Sequence, residues 1–73
     1  MSKLPVISGR ECVSALQRAD FRVRRQKGSH IVMQKDDPYR VVSIPNHKAL
    51  KPGTLRGIIN DAGLSVDEFR ELL

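Results

Sequence analysis

The chain has no tryptophan, one tyrosine and two phenylalanines among 73 residues. Modules that hold unpaired nucleic-acid strands by stacking need several exposed rings, so this scarcity counts against that class. Tyr39, the only Tyr or Trp, falls in a turn signal. The single cysteine, Cys12, excludes an internal disulfide and a thiolate zinc cluster, and fits a reducing compartment. It also falls on an apolar helical stripe and reads as inert core. Asp36-Asp37 has no further acid placed to complete an oxygen-coordinated metal, so the pair reads as a turn. There is no glycine-rich phosphate loop, no dinucleotide fingerprint and no serine–histidine–acid set. No metal ligand and no cofactor is expected. No apolar run is long enough for a bilayer, and the N-terminus lacks an apolar signal core, so a cytoplasmic protein without membrane association is expected. The length suits one domain over residues 1–73. A chain of this size buries only about 60–65% of its extended surface, which favours a shallow surface site over an enclosed cavity.

What the chain has is positive charge, net +5 with a pI near 10.0. The charge is concentrated. Residues 21–35 carry Arg22, Arg24, Arg25, Lys27 and Lys35 without an acid, whereas residues 57–73 hold Asp61, Asp67, Glu68 and Glu71 against Arg70 alone. A polyanion, nucleic acid first, is the partner such a block suits, and a soluble basic surface is the plainer reading.

Ser8 followed three places later by Glu11 has the form of a capping box. Cys12, Val13, Leu16 and Ala19 continue as a helical stripe, so a helix is expected over about 9–19, ended by Asp20. Phe21 and Val23 alternate with Arg22 and Arg24 as in a strand. Lys27-Gly28-Ser29 supplies a turn, His30 to Lys35 a second strand, Asp36 to Tyr39 another turn, and Val41 to Ile44 a third strand closed by Pro45. Pro52 suits the first turn of a second helix carrying Leu55, Ile58, Ile59 and Ala62, with Gly63 as its stop. Ser65 with Glu68 repeats the capping box before a short third helix. The expected class is α+β, in the order αβββαα: a three-stranded antiparallel meander with helices on one face and the other face open.

Alternation then sorts the side chains. If Lys35 pairs with Arg40, Ile31 faces Ile44 and Met33 faces Val42 toward the core, and His30 stands on the open face. With Phe21 and Val23 turned inward, Arg22 and Arg24 join His30. One step past Pro45, His47 reaches the same edge, provided that the strand continues that far.

The residues admit two readings each. His30 is either a proton-transfer group or a strand-end histidine. Gly28 permits a positive φ and close approach of a ligand, and Ser29 either binds phosphate or caps the turn. Arg22, Arg24 and Lys27 bind phosphate or keep an exposed sheet soluble. His47, Lys48 and Lys51 form a second phosphate cluster near the start of the second helix, or an ordinary solvated loop.

At Gly28-Ser29-His30 the sequence resembles the HicA toxin family. The resemblance runs from Leu16–Phe21 through Ile44-Pro45-Asn46-His47, Leu50, Gly53-Thr54-Leu55-Arg56 and Ile58 to Ala62-Gly63-Leu64-Ser65 and Phe69. Asp20 departs from the family's frequent glycine before the aromatic residue, though aspartate tolerates a left-handed conformation. The resemblance implies a fold like that of a double-stranded-RNA-binding domain. It implies a ribosome-independent ribonuclease that cleaves messenger RNA and halts translation, a HicB-like antitoxin partner, and a catalytic role for His30.

The chemistry this suggests is metal-independent. RNA carries its own nucleophile, and an imidazole can serve as general base or acid. Lys27, Arg22 or Arg24 would stabilise the phosphate, and His47 is the candidate second proton carrier. The free toxin is expected to be a monomer. Three other readings compete: a non-catalytic RNA-binding module, a module docking an acidic protein, and a helix-turn-helix DNA binder. The acidic third helix counts against the last.

Overall fold

The computed structural model describes residues 3–73; Met1 and Ser2, at the start of the expected 1–73 domain, lie outside the described residues. The elements are α1 (Gly9–Gln17), β1 (Arg22–Lys27), β2 (His30–Lys35), β3 (Arg40–Pro45), α2 (Pro52–Asp61) and α3 (Val66–Glu71). The strands form one antiparallel sheet in the order β1-β2-β3. This is the αβββαα architecture expected from the sequence, with α1 and α2 both packed on β3.

Local chemistry sets the helix ends. The Ser8 and Ser65 hydroxyls accept from the Glu11 and Glu68 amides, and each glutamate accepts in return from the amide of its serine. Each cap satisfies donors left over in a first helical turn, worth about 1 kcal/mol. The end of α1 falls two residues short of the sequence estimate. Asp20 takes a left-handed φ of 70°, its N–H donates to the Gln17 carbonyl, and the Phe21 N–H reaches back to Leu16. That is a Schellman closure, which uses Ala19 as part of the cap rather than as helix. The same pair of bonds, Gly63 to Asn60 and Leu64 to Ile59, closes α2.

The core lies between the helices and one sheet face. Cys12, Ala15 and Leu16 from α1 meet Met33, Val42 and Ile44 from the sheet, Leu55 and Ile59 from α2, and Phe69 from α3. The Arg18 guanidinium donates to the Leu72 carbonyl and the Arg70 guanidinium to the Lys3 carbonyl, tying the C-terminal segment to the end of α1 and to the N-terminal segment.

Two features position the site. A Cβ on Gly9 would collide with the Pro45 carbonyl oxygen, so its absence lets α1 begin directly against the end of β3. The Gly9 N–H donates to the His47 carbonyl at 2.9 Å, which fixes that approach. The second feature is that β1 overhangs the helices: all six of its residues are exposed. Val23 opposes the buried Met33 yet is 46% exposed, which corrects the expectation that it joins the core. The reason is that α1 and α2 pack on the opposite edge strand, β3.

Candidate nucleic-acid interface

β2 and β3 pair as alternation predicts: Ile31 with Ile44, Met33 with Val42, Lys35 with Arg40, and His30 with Pro45. The apolar pairs face the helices. The opposite face carries His30, Val32, Gln34, Val41 and Ser43, with no helix above it. His30 is exposed, and its ring makes no hydrogen bond among the described residues.

β1 does not follow simple alternation. Val23 opposes Met33, but Arg25 opposes Val32, Gln26 opposes Ile31 and Lys27 opposes His30. A β-bulge therefore inserts one residue, Arg24, and reverses the parity of the rest of the strand. Arg22, opposite Gln34, stands on the His30 face as expected, whereas Arg24, the inserted residue, has no register partner, and its expected place in that row beside His30 is corrected on this ground. Lys27 is the direct cross-strand neighbour of His30, at the ~4.5–5.5 Å between Cα atoms usual for such pairs. Arg25 is next along the same face, opposite Val32. Strict alternation from Phe21 would have turned Arg25 inward.

The two arginines named from the sequence sit further off. Arg22 opposes Gln34, four residues along β2 from His30, or about 13 Å of strand. Its guanidinium is bound to Asp36 at 2.7 Å, and Gln34 donates to the same carboxylate at 3.1 Å. These donors hold the Asp36 carboxyl below its ordinary range. Arg24 reaches the Tyr39 hydroxyl at 3.5 Å, toward the turn between β2 and β3. Lys27, Arg25 and His30 make no side-chain hydrogen bond or ion pair among the described residues, so all three side chains are open to solvent.

The hairpin that presents His30 has a two-residue loop, Gly28-Ser29. Gly28 has φ of 59°, and Ser29 is not left-handed. Glycine at the first loop position with positive φ is the II′ pattern, whose twist matches that of the strands. Ser29 is exposed, and its carbonyl accepts from the Asn46 N–H at 2.6 Å, one step beyond the end of β3.

His47 follows Asn46 at the same end of the sheet. Pro45 is the register partner of His30, and His47 is two residues on, within about 7 Å of Pro45 along the chain. There the chain leaves the sheet, because the His47 carbonyl is held by Gly9 rather than by another ladder bond. Lys48 and Lys51 are exposed on either side of the buried Leu50, which is anchored by its N–H to the Ile7 carbonyl at 2.8 Å. Lys51 is the N-cap residue of α2 and makes no side-chain cap bond, so the first amides of that helix stay open to an anion.

Cys12 is fully buried, and burial pushes its thiol up to about 12. It takes no part in the exposed face. No group of three or more His, Cys, Asp or Glu side chains able to hold a metal occurs among the described residues. No described helix is long and apolar enough to cross a membrane.

No curated protein matches the chain. A family model described as the HicA toxin of bacterial toxin-antitoxin matches residues 9–64, a span running from the start of α1 past the end of α2 that includes the whole sheet, Lys27, Gly28, Ser29, His30 and His47. Membership in a toxin–antitoxin family implies a cognate antitoxin as partner. With three quarters of its length covered, and with the fold and hairpin in the order described above, the chain belongs to the HicA toxin family.

Proposed function

We propose that this toxin is an endoribonuclease that cleaves messenger RNA on the open face of the sheet, with His30 moving a proton at the scissile phosphate. The observation that carries the reading is the pairing of Lys27 with His30 across a tight hairpin, on a face whose strand positions hold no carboxylate. The family's toxin role supports it.

The reaction is a transfer within the RNA. As base, His30 takes the proton of a ribose 2′-hydroxyl while the 2′-oxygen bonds to phosphorus. The bond from phosphorus to the 5′-oxygen breaks, and that oxygen receives a proton. The products are a 2′,3′-cyclic phosphate and a 5′-hydroxyl. General acid–base transfer of this kind contributes about 10²–10⁴-fold. Lys27 stabilises the extra negative charge on the phosphoryl oxygens, and Arg25 extends the cationic track. His47, at the same end of the sheet, is the candidate second proton carrier. Gly28 and Ser29 form the turn that presents His30. Lys48 and Lys51, with the open α2 N-terminus, contact flanking phosphates, as does Arg24, whereas Arg22 contributes least because Asp36 already neutralises it. No step of this scheme needs a metal. The protein acts as a monomer in the cytoplasm, and a HicB-like antitoxin silences it by covering the basic face.

One observation favours a second reading, a non-catalytic RNA-binding module. No side chain among the described residues orients the His30 ring, whereas catalytic bases are usually held by a third group. Incubating the pure protein with end-labelled RNA, with and without EDTA, separates the two. Cyclic-phosphate products that persist in EDTA support the ribonuclease. Retarded but intact RNA at every protein concentration supports the binding module.

A further inference from the structure

The bulge that turns Arg25 and Lys27 outward also turns Gln26 inward, to the helix side of the sheet opposite Ile31. Because β1 overhangs the helices, nothing covers it there. A groove of about 260 Å³ results, lined by Arg10, Val13, Ser14, Gln26, Ile31 and Asn46. Arg10, Val13 and Ser14 share one face of α1, being three and four residues apart. Val13 and Ile31 give apolar walls. The Gln26 and Asn46 amides, the Ser14 hydroxyl and the Arg10 guanidinium supply polar groups, and no carboxylate is among them.

These polar groups are largely unengaged. The side chains of Arg10, Ser14 and Asn46 make no hydrogen bond among the described residues. Gln26 has only a long contact, from its amide nitrogen to the Gly28 carbonyl at 3.4 Å. The groove lies at the His30 end of the sheet: Gln26 precedes Lys27, Ile31 follows His30, and the Asn46 N–H is bonded to the Ser29 carbonyl. Its volume is below the ~300–1,000 Å³ of clefts for drug-sized ligands, which suits a single ring system better than a peptide segment.

We propose that this groove binds one unpaired nucleobase of the RNA, next to the scissile phosphate, and reads its hydrogen-bonding edge with Gln26 and Asn46. The proposal rests on the ribonuclease reading for the position of the phosphate, and adds to it a source of base preference. A carboxamide offers a donor and an acceptor side by side, which matches the paired groups on a base edge. The Arg10 guanidinium is a flat cation that can lie against a base where the chain has no aromatic ring to do so. A strand bound at His30 and Lys27 reaches the groove around the hairpin end, where no neighbouring strand blocks the edge of β1.

The test uses hexamers of A, C, G or U with 2′-O-methyl ribose, which lack the nucleophile and stay intact whatever the activity. Titrated into isotope-labelled full-length protein, they should shift the side-chain amide resonances of Gln26 and Asn46. One base should bind about tenfold more tightly than the weakest. In the Gln26→Ala/Asn46→Ala protein that preference should collapse while phosphate-driven binding persists, and Ser14→Tyr, which fills the groove from the exposed side of α1, should do the same. Lys27→Ala should weaken all four hexamers and keep their ranking. Equal affinities, unshifted amides, or a ranking that survives both groove variants would overturn the proposal. Cleavage of unmodified RNA by the wild type, measured alongside, reports separately on the ribonuclease reading.

Discussion

Lys27 and His30 are register partners across the β1–β2 hairpin, joined by a loop of only two residues. Their side chains share the open face because the loop geometry fixes the pairing, and that geometry depends on the positive φ of Gly28. A Cβ at Gly28 would meet nothing within 4 Å, so any penalty there is a matter of backbone conformation alone. Gly28→Ala is expected to lower stability by about 1–2 kcal/mol, with Gly28→Asn milder. Thermal melts of the two variants check this, and RNA cleavage should fall in the same order.

Lys27→Ala should leave the melting temperature nearly unchanged, since the side chain is exposed and makes no bond. Its kcat on RNA should drop by about 10²-fold, the scale set by removing one donor from a charge-developing site. Arg22→Ala should have a much smaller effect, because Arg22 stands about 13 Å along the sheet and is paired with Asp36. Equal losses from the two substitutions would contradict the geometry.

The sheet shows where the sequence was legible. Between β2 and β3 the apolar residues Ile31, Met33, Val42 and Ile44 alternate cleanly, so a single turn assignment gave the observed register. In β1 only Val23 is apolar, and the polar run after it carries no parity signal. A bulge there has no glycine or proline to mark it. One signal was present all the same. Counting outward from the hairpin puts Lys27, Arg25 and Val23 on the His30 face, whereas counting from Phe21 puts Val23 on the core face. The two counts conflict, and one inserted residue resolves them. Only the count from the hairpin places Arg25 on the open face and Gln26 on the helix side. The end of α1 is illegible for a different reason: the Schellman closure borrows an apolar residue, Ala19, that fits the helical stripe.

Gly9→Ala is expected to destabilise the protein by about 1–3 kcal/mol, because the new methyl would press on the Pro45 carbonyl, which is backbone and cannot step aside cheaply. Ser8→Ala, which removes only the cap, should cost about 1 kcal/mol. Chemical denaturation of both checks the order. If the Gly9 variant is the less perturbed, α1 does not meet the end of β3 as closely as described.

Stability should fall at both pH extremes for identifiable reasons. Bonds from Arg22 and Gln34 lower Asp36, and bonds from the Ser65 amide and hydroxyl lower Glu68. For such groups the folded pKa lies below the unfolded one. Their contribution is present above about 4.5 and is lost as the pH drops through the folded values. Cys12 runs the other way. Its folded value of about 12 lies above the unfolded 9.0, so stability should decline as pH rises between them. Denaturation midpoints across pH check both limbs, with Asp36→Asn flattening the acid limb and Cys12→Ala the alkaline one. Cys12 should also resist thiol reagents until the protein unfolds, because it is fully buried.

The most direct test of the account is the cleavage of labelled messenger RNA by wild type and by His30→Ala, with circular dichroism and thermal melts run on both proteins. His30 is exposed and unbonded, so the variant should fold as the wild type does. The expected result is 2′,3′-cyclic phosphate ends from the wild type and a rate at least about 10²-fold lower from the variant. Cleavage at the wild-type rate by folded His30→Ala would contradict it.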